Sequence, residues 1–150
     1  MDFGGYPFKH VCDITPVMGG DGFVQALMPQ GRCAKRDLYP LNKYGTGPFC
    51  KFRIPATYPY PGVYLLTVGD EIQYIGETTH LSRRYNMGYG TISPRNCYKG
   101  GQETNVRMNN LIYQAALSGE IVSLWFYRTE DFKTIELGLR RQHRSSWNRV

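Results

Sequence analysis

The sequence predicts a small α/β sandwich, with elements in the order β-β-α-α-β-α behind an irregular N-terminal arm. Three features carry that prediction: a hairpin pattern at residues 63–75, a second β-rich run at residues 121–127, and helical patterns following each of them. The run VYLLTV from Val63 to Val68 is apolar and β-prone, Gly69-Asp70 supplies a tight turn, and residues 71–75 return as a second strand. Thr78 or Thr79 then caps a helix reaching about Met87, with Leu81 and Tyr85 four apart on one face and Arg84 one step off it. Residues 88–102 hold four glycines and one proline, which reads as a loop. Thr104 caps a second helix that Gly119 ends. IVSLWFY, residues 121–127, is a third strand whose composition predicts burial. Thr129 caps a last helix over residues 130–143, with Phe132, Ile135 and Leu139 as its inward stripe.

Residues 1–61 show no period. They are rich in Gly and Pro, as in KYGTGPFCKF and PATYPYPG, and are expected to wrap the later part rather than fold alone. At 150 residues the chain is one domain's worth, with 41% hydrophobic and 20% charged residues. Its net charge of +6 and pI near 9.2 favour an anionic partner, nucleic acid or a membrane surface. No apolar run approaches the roughly 20 residues of a spanning helix, and MDFGGYPFKH lacks the apolar core of a secretory signal, so a soluble cytoplasmic protein is expected. The four cysteines, Cys12, Cys33, Cys50 and Cys97, form no C-x-x-C pair and read as reduced thiols.

Two tyrosines stand beside glycines on the two hairpin strands: Gly62-Val63-Tyr64 and Tyr74-Ile75-Gly76. Given a suitable register, both phenols point to one face. A phenol titrates near 10, so it needs positive charge before it serves as a base. Arg84 can supply that charge and can hold a phosphate oxygen through its guanidinium. Glu136 is a carboxylate among the apolar positions of the last helix, a costly place unless a cation or another partner meets it. These are the components of phosphodiester cleavage: a base or guide for the attacking oxygen, charge for the phosphoryl oxygens, and a carboxylate for a divalent ion. Each also has a plain structural reading, as a strand aromatic, a solvated helix arginine, or an i,i+4 pair of Glu136 with Arg140. His10, His80 and His143 read as surface residues.

With Arg84 eight residues after Gly76, Glu136 in a later helix and Asn148 twelve residues beyond it in WNRV, the pattern over about residues 62–150 resembles the GIY-YIG nucleases. It is most similar to their compact, stand-alone restriction-type endonucleases. The resemblance implies a three-stranded antiparallel sheet flanked by helices, with residues 1–61 as an arm that packs on the core or contacts DNA. It implies cleavage with one Mg²⁺ or Mn²⁺ per active site. Tyr64 would be the general base or water guide, Tyr74 would touch water or phosphate, Arg84 would stabilise phosphoryl charge, Glu136 would hold the metal, and Asn148 would brace the helix ends around the site. The chain departs from the family's pattern in carrying Glu77 and Gln73 where members carry a lysine. Lys99, Arg83 or the metal must then replace that ammonium, or Tyr64 guides water more than it takes a proton. Gly88 stands where members place a Tyr or His, and the neighbouring Tyr89 is the candidate substitute.

The loop side chains Arg95, Asn96, Lys99 and Gln102 are of types that read base edges or phosphates, and Asn105, Arg107 and Asn109 extend that surface. Arg83, Arg140, Arg141 and Arg144 add positive charge suited to phosphates. The expected substrate is double-stranded DNA, with a homodimer suited to a palindromic site and no membrane partner. Two other readings stand beside this one: a nucleic-acid-binding module of weak or no turnover, and a structure-selective repair nuclease.

Overall fold

The computed structural model describes residues 1–149. A short hairpin of β1 (Asp2–Phe3) and β2 (Tyr6–Pro7) precedes β3 (Lys9–Ile14). The strands β4 (Gly62–Val68), β5 (Glu71–Thr78) and β6 (Val122–Arg128) then join β3 in one sheet of order β3-β6-β4-β5, every pair antiparallel. The helices are α1 (Leu81–Arg84), α2 (Glu103–Leu117) and α3 (Phe132–Gln142).

The hairpin turns where its residues dictate, but a bulge between Leu66 and Thr67 in the pairing leaves Gln73 as an extra residue on β5. Gly69 takes φ +59° in the turn, and β4 lies at the centre of the sheet with nearly every side chain buried. The expected three-stranded sheet is corrected to four strands. The added strand comes from the N-terminal stretch, where Lys9 to Ile14 runs along β6 and satisfies backbone groups that an edge would leave open. Side-chain contacts fasten it: Ser123 Oγ donates to Asp13 Oδ1 at 2.7 Å, and His10 packs edge-on against Trp125 at 5.0 Å. Strand β6 alternates buried with half-buried positions rather than being buried throughout. The strand β5 also runs three residues beyond its expected end.

After β5, Thr78 Oγ1 accepts the amide of His80, and His80 Nδ1 accepts the amide of Arg83, so His80 is the side-chain cap of α1. The α-helix lasts one turn and passes into a π-helical turn at Tyr85–Tyr89, where a plain helix to Met87 was expected. Residues 88–102 include a 3₁₀ turn, Pro94–Cys97. Gly119, at φ +75°, ends the second helix as expected.

Two compact units interleave along the chain, and neither has an edge at residue 61. One comprises residues 1–14, 54–84 and the stretch from Glu120 onward; the other comprises residues 15–53 and 85–119. In the first, Phe8, Val63, Leu65 and Ile75 pack with Leu139 of α3, and Phe132, Ile135 and Trp125 extend the cluster. In the second, Phe49, Ile92, Cys97 and Val106 form the core, so part of the N-terminal stretch has apolar burial of its own. Asn109 binds that stretch to α2: its Nδ2 donates to the carbonyls of Cys50 and Tyr89, and its Oδ1 accepts the Cys50 amide. All four cysteines are free thiols, and burial pushes the Cys50 thiol up to about 12.

The glycines of both triplets are needed for close approach. A Cβ on Gly62 would lie 2.6 Å from the Phe126 ring, and one on Gly76 would lie 2.5 Å from the Tyr64 hydroxyl. We expect Gly76→Ala to cost about 1–3 kcal/mol through overpacking. Urea denaturation monitored by circular dichroism measures it; an unchanged midpoint would show that the Tyr64 ring does not rest on Gly76.

Candidate active site

Strand β5 organises the first unit's candidate residues. Tyr64 pairs in register with Gly76, and Tyr74 with Leu66. The missing side chain at Gly76 lets the Tyr64 ring lie across β5, where it meets Tyr74 at 6.0 Å between centroids and 34° between planes. Tyr64 is buried and Tyr74 half-buried, so the pair runs from the interior toward the surface. A bulge at Gln73 interrupts the alternation of β5 and puts Tyr74 on the face of Tyr64; beyond it side chains alternate, which sets Val63, Leu65 and Ile75 on the opposite face, against α3.

Glu77 follows Ile75 by two residues and so belongs to the α3 side of β5. Glu136, one residue beyond Ile135, sits at the margin of the apolar stripe with its side chain 14% exposed. Arg140 Nη1 donates to Glu136 Oε1 at 3.2 Å across one helical turn. Burial nonetheless holds the Glu136 carboxyl above the usual carboxylate range; Arg140 opposes that rise and the like charge of Glu77 adds to it. Glu77 is thus a second acid beside the first, and its only signal in the sequence is that it stands in place of a lysine.

Asn148 acts on the sheet edge rather than on helix ends. Its Oδ1 accepts the Ile75 amide at 2.9 Å and its Nδ2 donates to the Ile75 carbonyl at 2.9 Å, as a paired strand residue would. The Trp147 amide donates to the Gln73 carbonyl, and the Ser146 hydroxyl bonds the Gln73 side chain. Gln73, at the other position where the family carries a lysine, therefore fastens the C-terminal stretch. Arg84 is half-buried at the end of α1, eight residues past Gly76, with its amide donated to the His80 carbonyl.

The structure therefore brings Tyr64 to Tyr74, Glu136 to Glu77, and Asn148 to the residue between Tyr74 and Gly76. Tyr89 belongs to the second unit, where it is fully buried edge-on to Tyr85 at 5.0 Å. Several expected nucleic-acid contacts shape the loop instead. The Arg95 guanidinium donates to the Lys99 carbonyl at 2.9 Å and covers the Tyr39 ring. Asn96 Oδ1 accepts the Gln102 amide. Asn105 is buried, its amide donating to Gln102 Oε1, because its place on α2 faces the core. Arg107 lies over the Tyr44 ring. Lys99, Gln102, Arg83, Arg140, Arg141 and Arg144 are exposed.

No family model matches the sequence, and no curated protein matches it. Among solved structures, a mutant of bacteriophage T4 EndoII superposes with a TM-score of 0.56 at 19% identity, over 96% of this chain and 93% of that one. The fold is similar to that of EndoII. At this identity the likeness to EndoII is one of fold, and it extends over nearly the whole of both chains, so it takes in most of residues 1–61.

Two expectations follow. The raised Glu136 carboxyl means that ionising it costs the fold free energy, a cost absent below the ordinary carboxylate value and complete above the raised one. Glu136→Gln should then melt higher than wild type at pH 8. The difference should vanish near pH 4; calorimetry at both pH values checks it, and a variant that melts lower at pH 8 refutes the assignment of burial as the dominant effect. Asn148→Ala removes two bonds and should destabilise by about 1–3 kcal/mol. Its first sign should be faster hydrogen exchange at the Ile75 amide; unchanged protection there would contradict the edge-fastening role.

Proposed function

We propose that this protein is a divalent-metal-dependent endonuclease that hydrolyses phosphodiester bonds in duplex DNA, of the compact restriction type. The observation that carries the reading is the grouping around β5: a phenol pair on one face, a charge-strained carboxylate of α3 on the other and the asparagine clasp at the edge, in a fold shared with a protein whose name denotes an endonuclease. The basic net charge suits the substrate.

Whether a metal fits is answered by Glu136 and Glu77. Among the described residues no group of three acidic, His or Cys side chains could cage an ion. Mg²⁺ does not require one: it keeps several waters and takes one or two carboxylates. A desolvated carboxylate with an acidic neighbour is the kind of donor that a cation relieves. Glu136 would hold the ion, with Glu77 alongside. When bound, the ion supplies positive charge to the phosphoryl and leaving oxygens.

The chain's own groups do the rest. Tyr64, held across Gly76, aims its hydroxyl at an attacking water, as guide or as base. Tyr74, the more exposed of the pair, meets the water or the phosphate. Arg84 offers its guanidinium to the phosphoryl oxygens. The phenols and the carboxylates reach β5 from its two faces, so the reacting phosphate would lie at the rim of that edge strand near Gly76 and Glu77. Asn148 keeps the rim from shifting. Arg83, Lys99, Gln102, Arg141 and Arg144 are exposed cations and amides available to a duplex. A palindromic site would suit two copies of the chain. The Arg140–Glu136 ion pair favours the alternative of a binding module, since a carboxylate so occupied need not take a metal.

Incubation with bacteriophage or plasmid DNA and Mg²⁺ separates these readings. Wild type should give discrete fragments that EDTA abolishes. Glu136→Ala, Arg84→Ala and Tyr64→Phe should each lower the cleavage rate by about 10²–10³-fold or more, the loss typical of one transition-state contact. DNA binding without cleavage across Mg²⁺, Mn²⁺ and Ca²⁺ would establish the binding module, and cutting confined to branched substrates would establish a repair-type nuclease.

A further inference from the structure

Beyond the candidate active site, a groove of roughly 380 Å³ opens at the C-terminal end of α3. Arg140, Arg141, Arg144 and Arg149 line it with Ser145 and His143, and none of its described lining residues is acidic. Cations at a helix C-terminus are ordinary, since the carbonyl end of the dipole attracts them. Ser145 is what the dipole leaves unexplained. It is 7% exposed, and its Oγ has no hydrogen-bond partner among the described residues. An orphaned buried hydroxyl costs about 1–3 kcal/mol, and here it belongs to a residue in the wall of a positively charged groove.

We propose that this groove is a phosphate pocket: the Ser145 hydroxyl donates to a backbone phosphate of bound DNA while the arginines hold its other oxygens. Serine and arginine are complementary donors for such a ligand, one a single short O–H bond, the other a flat two-pronged fork. The turn that shapes the pocket is fixed, because the Asn148 amide donates to the Ser145 carbonyl while the Asn148 side chain grips Ile75. Arg140 connects the groove to the candidate active site: Nη1 donates to Glu136 and Nη2 to the Arg149 carbonyl at 3.1 Å. One helical turn separates Glu136 from Arg140, about 6 Å along the axis. The occupant is therefore a backbone phosphate near the scissile one and distinct from it. This assignment rests on the nuclease reading for its choice of DNA.

Fluorescence anisotropy of a labelled duplex with the full chain in EDTA tests it without turnover. Ser145→Ala should weaken binding roughly tenfold, the worth of one bond to a charged group, while leaving the melting temperature equal or higher. An Arg141→Gln/Arg144→Gln double variant should weaken binding and flatten the log–log salt slope by about 2, one for each arginine that no longer meets a phosphate. Inorganic phosphate should compete with the duplex for wild type more effectively than for Ser145→Ala. Wild-type duplex affinity in both variants would overturn the proposal, as would capture of phosphatidylserine vesicles by a protein with no duplex affinity. The two readings fail separately: Mg²⁺-dependent cleavage with groove variants that bind normally sinks the pocket alone. Groove-dependent binding with no cleavage sinks the nuclease alone.

Discussion

Closure of the β5 edge is the constraint on which the rest depends. An edge strand presents unpaired amides and carbonyls, and proteins cover them, twist them away or charge them. Here the covering is an asparagine side chain that meets both the amide and the carbonyl of Ile75, with the Trp147 amide on Gln73 one pair further along. Ile75 is 1% exposed and packs in the cluster with Leu139 of α3. It therefore ties three things at once: the C-terminal stretch, the helix that carries Glu136, and the strand positions on either side, Tyr74 and Gly76. The Tyr64 ring completes the arrangement by lying across the one position on β5 that has no side chain.

Much of this arrangement was legible in the sequence, because local chemistry states it. The hairpin follows from its apolar run and the Gly69-Asp70 turn, and α2 from its Gly119 stop; α3 follows from a stripe that repeats at helical spacing. The fourth strand was not legible. Lys9, His10 and Asp13 give β3 a half-exposed face, and its partner β6 lies more than a hundred residues away, so only tertiary pairing reveals it. The change from α to π winding at Tyr85 is equally silent, since Tyr85 and Tyr89 are at plain helical spacing. Among the site residues, the phenols were readable as strand residues, but their meeting was not: the register set by the Gly69-Asp70 turn would pair Tyr64 with Ile75 and part the two rings, and only the bulge at Gln73 slips Tyr64 to Gly76 and brings both phenols to one face. The true partner of Asn148 was not readable either, because a side chain can complete a ladder only where the fold brings the chain's end to an edge. Arg95, Asn96 and Asn105 illustrate the limit of reading polarity as recognition: a glycine-rich loop needs internal hydrogen bonds to hold a shape, and these side chains supply them.

The electrostatics of the site differ from what the resemblance implied, and the difference is coherent. Both lysine positions carry other residues, and each has found a different use. Gln73 fastens the C-terminal stretch, while Glu77 adds negative charge next to Glu136. The positive charge beside Glu136 comes instead from its own helix, at Arg140. Arg140 is 39% exposed in its side chain, so this pair is only partly desolvated and its strength is reduced by solvent. It compensates Glu136 incompletely, which is why the carboxyl still titrates high.

That incomplete compensation joins the two halves of the functional argument. A carboxylate fully satisfied by arginine would have little affinity left for a metal, and one with no partner would be costly to bury. Glu136 lies between those limits, with a partner that also reaches the carbonyl of Arg149 at the mouth of the serine–arginine groove. An anion seated in that groove would compete with Glu136 for the same guanidinium. The charge left on Glu136 would then be less compensated and better suited to a cation. The proposed phosphate pocket and the proposed metal ligand thus share one side chain, and the physical consequence is that whatever strengthens one favours the other.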